Sequence, residues 1–151
     1  MQYARGAKLA ADGDPTAFDF PTGAGVKGLD FSFAGLKTAL LYRVRDLGDE
    51  ETARRRADLA AAYEHAIVEA LIARVTRALH QDPEPRVAIG GGVAANGPLR
   101  ARLGELGVTL GIPPRELCTD NAAMIASAAR YVEPLRDYLA LDAYATGERG
   151  L

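Results

Sequence analysis

Residues 117–126 read LCTDNAAMIA, so a hydroxyl, a carboxylate and an amide stand side by side before a small, apolar, helix-forming run. Thr119, Asp120 and Asn121 are each suited to accept hydrogen bonds from the orphan amides of a helix start. One cap would account for one of them, not for three. Whether Asp120 is a cap or a ligand is therefore the first question.

A second candidate is the stretch RVAIGGGVAANGPLR, which places Gly90, Gly91 and Gly92 after a strand-like run, Asn96 at a helix start and Pro98 in the first turn. Glycines let a ligand or another backbone approach with no Cβ in the way. A helix start adds amides and a positive dipole end, which suit phosphate. Gly90, Gly92 and Ala95 satisfy the dinucleotide pattern G-x-G-x-x-G/A, a weak match by itself. A dinucleotide site would also want an acidic residue at the end of the second strand, yet VTLGIP runs into Pro113 and Pro114 and Glu116 comes late. The phosphate loop G-x-x-x-x-G-K-[ST] is absent. A tight strand-to-helix turn that needs glycine only for geometry stays open beside the nucleotide reading.

Other reactive side chains have plainer readings. His65 and His80 lie fifteen residues apart on one helical run, about 22 Å at ~1.5 Å per residue, so they cannot close one metal site. His65 falls on the polar side, and His80 near the end, where positive charge is favoured. His65 and Glu69 form an i, i+4 pair with no third ligand, weak grounds for a metal. Cys118, the lone cysteine, excludes an intramolecular disulfide and reads as a small buried residue at a strand-to-helix junction. Ser32 reads as a helix cap, Lys37 as an exposed helix lysine or a substrate contact, and Arg54, Arg55 and Arg56 as a solvated helix start rather than an RNA patch.

The elements that must position these groups follow from patterning. At 151 residues, 48% hydrophobic and 25% charged, the chain has ordinary globular composition for one core. Its net charge of -2 gives no bulk pull toward nucleic acid, so any RNA contact must be local. No run of 18 apolar residues and no signal-peptide pattern occurs, and a cytoplasmic location is expected. A short helix is expected over Tyr3 to Ala11, followed by a segment of glycines and prolines that connects rather than packs. LDFSF (Leu29 to Phe33) alternates like a strand and feeds a helix marked by Leu36, Leu40, Val44 and Leu47. After the charged break GDEETARRR, a long helix carries a buried stripe of Leu59, Tyr63, Ile67, Leu71, Val75 and Ala78, with its opposite face solvated. QDPEP stops it. Strand RVAIGG, helix GPLRARLGEL, strand VTLGIP and the helix begun by CTDN then argue a parallel α/β unit. Residues 1–28 are expected to be a connector, 29–135 the lobe that carries the motifs, and 136–151 a tail.

LDFSFAGLKTAL, AIGGGVAANGPLR and LCTDNAAMIA, in this order and spacing, resemble the carboxyl-terminal half of the TsaD family, which supplies the transferase that makes N6-threonylcarbamoyladenosine beside the anticodon of tRNA. The resemblance runs from about Leu9 to about Tyr144. It implies an α/β fold of the actin-like, Hsp70-like nucleotide-binding class, of which this chain would be the helix-rich carboxyl-terminal part with a small parallel sheet. It implies threonylcarbamoyl-AMP as donor, tRNA as acceptor, a divalent metal (iron, with zinc or magnesium as alternatives), and TsaB-like and TsaE-like partner subunits. By this resemblance Gly91, Gly92 and Asn96 contact the nucleotide, and Asp120 ligates the metal. A carboxylate oxygen suits a hard cation facing phosphate, and Thr119 or Asn121 can still serve the helix amides.

The chain departs from the family in length and in ligands. A complete member is roughly twice as long and carries an H-x-x-x-H pair in its amino-terminal half, which this sequence lacks. Only two convincing strands remain, so unpaired sheet edges and an exposed apolar face are expected. Three other readings compete. Another enzyme of the actin-like fold, such as a carbamoyltransferase or sugar kinase, would not combine FSFAGLK with CTDNAAMIA. A hydrolytic zinc site would want H-E-x-x-H, which is absent. A non-catalytic nucleotide-binding scaffold would keep the lobe without its metal.

Overall fold

The computed structural model describes residues 8–23, 28–84, 86–119 and 121–134. Asp120, most of the expected first helix and the tail from 136 onward lie outside the described residues. The order of elements is α1 (Ala34–Arg54), α2 (Arg56–Gln81), β1 (Arg86–Ala88), a 3-10 turn (Gly92–Ala95), α3 (Gly97–Gly104), β2 (Thr109–Gly111), a 3-10 turn (Arg115–Leu117), α4 (Asn121–Ala128) and a final 3-10 turn (Ala129–Tyr131). β1 and β2 pair in parallel, with Val87 opposite Leu110, and α3 is the crossover between them. The expected parallel unit is therefore present. Its strands are shorter than the apolar runs suggested.

α2 is the spine of the structure. Leu59, Ala62 and Ala66 pack with Phe20 of the leading segment and Leu36 of α1, whereas Val68 and Ile72 pack with Leu99 and Leu103 of α3. Leu59 and Val68 are nine residues apart, about two and a half turns at 3.6 residues per turn, so the two clusters occupy opposite faces of the helix. This corrects the expectation of one buried stripe. Ala61, Ala62, Ala66 and Ala70 are all buried, and these small side chains let other elements close on both sides. Tyr63, Ile67, Leu71 and Val75 are only partly buried around the two cores. Ile72→Val, which deletes one methyl group from the second cluster, is expected to cost about 1 kcal/mol, read as a lower urea midpoint with an unchanged slope.

Three further expectations change. The segment before residue 24 packs as well as connects: Ala10 and Phe20 are buried, and a Cβ placed on Gly13 would fall 2.1 Å from the carbonyl oxygen of Ala57. LDFSF forms no strand. It has no neighbouring strand among the described residues, and Leu29, Phe31 and Phe33 stay exposed, the two rings stacked at 6.1 Å. Ser32 is not the cap of α1, because the residue before Ala34 is Phe33 and no side chain caps that end.

The charged break appears as a kink inside α1, where Gly48 adopts φ 72° and ψ 172°, a region open essentially to glycine. Arg54 pairs with Glu51 at 2.7 Å, and Arg55 reaches Asp58 while lying 4.2 Å over the Phe18 ring. Two of the three arginines are thus engaged within the fold, consistent with a helix junction. Arg74, although buried, donates from Nε to the carbonyl of Asp30 and from a terminal nitrogen to that of Gly23, tying the loop before α1 to α2. Leu41, Tyr42, Met124 and Ile125 remain exposed. These exposed apolar side chains lie on two separate helices, α1 and α4.

Candidate functional site

The strand-to-helix turn is built by glycine for one clear reason and left open for another. Gly91 has φ 74° and ψ -175°, where a side chain would be strained. Gly90 and Gly92 carry no such angle, and a Cβ on any of the three would meet nothing within 4 Å. Neither backbone angle nor packing among the described residues accounts for Gly90 and Gly92.

Asn96 caps α3: its Oδ1 accepts from the Leu99 amide at 2.7 Å, and its Nδ2 donates to Oε1 of Glu64 at 2.7 Å. The side chain is buried. The Arg100 amide binds the Asn96 carbonyl at 3.2 Å, and Pro98 has no amide hydrogen. Of the first four residues of α3, only Gly97 keeps an amide that Asn96 or proline does not remove. The helix start thus offers an anion fewer free amides than the sequence suggested. Asn96→Ala is expected to cost about 1 kcal/mol through the lost cap, measurable as a lower thermal midpoint.

Beside Asn96 lies a cavity of about 590 Å³, walled by the leading segment, α2 and the start of α3. Small apolar groups such as Ala10, Ala61, Ala95 and Pro98 line it, together with Glu64, His65 and Arg102. Arg102 pairs with Glu69 at 3.0 Å and also with Glu105. The hydrogen bonds it donates to Glu69 and then to Glu105 push its proton affinity up further, so its charge is fixed and largely answered. Glu64 was not among the sequence candidates. Its partner is 32 residues away, and helical periodicity carries no sign of such a pairing.

The segment leading to residue 120 reaches the same neighbourhood. The guanidinium of Arg100 donates to the carbonyls of Ala94, in the turn after the glycines, and Pro113, and a terminal nitrogen reaches Sγ of Cys118 at 3.4 Å. Cys118 is buried, and its thiol also donates to the carbonyl of Pro114 at 3.4 Å, which agrees with a structural rather than ligating cysteine. His65 and His80 are both exposed on α2, and Lys37 is exposed on α1. Among the described residues, no group of three or more His, Cys, Asp or Glu side chains could hold a metal ion, and no helix is long and apolar enough to cross a membrane.

A parallel β-α-β unit with an open glycine turn, beside a cavity bounded by a capped helix start, defines a helix-rich α/β protein with a small parallel sheet. The chain belongs to the TsaD family, tRNA N6-adenosine threonylcarbamoyltransferase, whose model matches residues 1–127. Proteins of that name from Symbiobacterium thermophilum, Acidovorax sp. and Anaeromyxobacter dehalogenans are 46%, 48% and 50% identical to it over 129, 142 and 131 residues. Those matches cover 83%, 87% and 82% of this chain but 38%, 40% and 39% of the relatives. The chain therefore spans about two-fifths of the length of these curated relatives.

Proposed function

We propose that this chain is the nucleotide-holding portion of a tRNA N6-adenosine threonylcarbamoyltransferase of the actin-like, Hsp70-like fold class, acting in the cytoplasm with TsaB-like and TsaE-like subunits. The observation that carries the reading is the glycine turn, where two of three glycines have no reason in backbone angle or in packing among the described residues. A ligand that must come close to the backbone supplies the reason. The nucleoside of threonylcarbamoyl-AMP would occupy the cavity beside Asn96, and its phosphate would face Gly91 and Gly92. The four-residue 3-10 turn between the two spans about 8 Å at ~2.0 Å per residue, within the reach of one nucleotide.

The chemistry asks for positioning more than for a nucleophile. The exocyclic amine of the tRNA adenosine attacks the carbamoyl carbon of the mixed anhydride; a C–N bond forms, the C–O bond to phosphate breaks, and AMP leaves while the amine loses a proton. Backbone amides fixed at the departing phosphate stabilise its charge without reorganising. No side chain need be acylated, in keeping with a buried, hydrogen-bonded Cys118.

A divalent metal, iron or alternatively zinc or magnesium, would take one ligand from Asp120. The described side chains do not complete a set, so the remaining ligands would come from outside them, and no step is assigned to the metal. The 151 residues alone are therefore expected to bind iron weakly and to transfer nothing. The test supplies the remaining part of a relative together with the partner subunits, and measures modified adenosine in tRNA. Transfer that needs both parts supports the proposal, whereas robust transfer by this chain alone overturns it. Nucleotide binding without turnover in the completed assembly would favour a scaffold.

A further inference from the structure

We propose that Glu64 is a specificity-determining residue of the cavity, accepting hydrogen bonds from donor groups of the nucleoside. This rests on the nucleotide reading above. Glu64 lines the cavity, and its Oε1 accepts the 2.7 Å hydrogen bond from Asn96 Nδ2. Asn96 is itself fixed at its other end by the Leu99 amide, so the carboxylate is held by a side chain that cannot turn without uncapping α3. An ionised carboxylate offers about four acceptor positions and no donor. One is occupied by Asn96, which leaves acceptors for a ligand.

The surrounding walls sharpen the choice. Ala10, Ala61, Ala95 and Pro98 present no polar side-chain group, and Arg102 is answered by Glu69. His65 and the Arg115 guanidinium also line the cavity, and the Glu64 end, where the carboxylate stands, favours a neutral group that donates over an anionic one. That polarity sets the orientation of a nucleotide: donors toward Glu64, phosphate away from it toward the glycine turn. A nucleoside carries two such donor sources, the ribose hydroxyl pair and the exocyclic amine of adenine. Asn96 acts here as a positioning residue for the carboxylate and can still offer its second amide hydrogen.

The experiment titrates the nitrogen-labelled 151-residue chain with AMP, with a dideoxy analogue lacking both ribose hydroxyls, and with IMP, in which oxygen replaces the amine. It follows the Asn96 side-chain amide resonances as well as the backbone. AMP should shift them, and one analogue should bind about tenfold more weakly or worse, as loss of a hydrogen bond to a charged group implies. Which analogue fails names the donor. In Glu64→Gln that discrimination should largely vanish while Asn96 retains a carbonyl to bind. Equal binding of all three by the unaltered chain, or discrimination that survives in Glu64→Gln, overturns the assignment and leaves nucleotide binding intact. Absence of AMP binding to the unaltered chain overturns both. The comparison within the unaltered chain holds even if the variant folds poorly.

Discussion

Gly92→Val is expected to leave the unfolding midpoint of the chain unchanged while lowering transfer by the completed enzyme about 100-fold, a loss of the size that small misplacements of a reacting group produce. A Cβ at this position meets no atom of the described residues within 4 Å, and Gly92 does not have a positive φ. The fold therefore has no objection to the side chain; only a ligand seated against the turn does. Gly91→Ala is a poorer probe, because φ 74° with ψ -175° imposes about 1–3 kcal/mol of backbone strain and mixes folding with function. Urea titration beside a tRNA modification assay separates the two effects. A Gly92→Val enzyme of normal activity would return the glycines to a purely geometric role.

Gly13→Ala should produce the largest loss of stability, about 3 kcal/mol, at the upper end of what overpacking costs. The added Cβ would lie 2.1 Å from the Ala57 oxygen and 2.7 Å from the Asp58 nitrogen. These are backbone atoms at the start of α2, so no side chain can swing aside. Either α2 or the leading segment must move, and that segment forms one wall of the cavity. Nucleotide affinity should fall with stability, unlike in Gly92→Val. Beside Gly13, the Asp14 carboxylate is held below its ordinary value of 3.8 by the Thr16 hydroxyl, then by the Thr16 amide and weakly by Arg55. Its pKa being depressed in the fold, the contribution of this turn is present above the ordinary value and fades as pH falls through the lower one. A Gly13→Ala midpoint equal to that of the unaltered chain would mean that the close approach to α2 does not exist.

What could be read in the sequence was the set of elements whose signals are local. The long helix, its stop at QDPEP and the strand, glycine, helix, strand order are all where apolar spacing and breakers place them. The break at GDEETARRR became a kink because Gly48 takes an angle closed to other residues. What could not be read depended on neighbours far along the chain. The alternation in LDFSF signals a strand only if another strand accepts it, and none does among the described residues. The two buried faces of α2 were hidden because Ala62 and Ala66 register weakly beside leucine on one side, while Val68 and Ile72 on the other take their burial from Leu99 and Leu103, some thirty residues further along the chain. At the site, Asn96 and the glycine turn were legible from their types. Glu64 and Arg100 were not, since each acquires its meaning from a partner in another element. Asp120 lies outside the described residues.

The central claim is that one nucleotide bridges the glycine turn and the cavity beside Asn96. Photolabelling of the chain with an azido derivative of AMP, followed by peptide mapping, addresses it directly. Label is expected in residues 10–15, 61–68 or 90–102, displaced by excess AMP. Label confined to α1 or α4, or label that AMP does not displace, would contradict it.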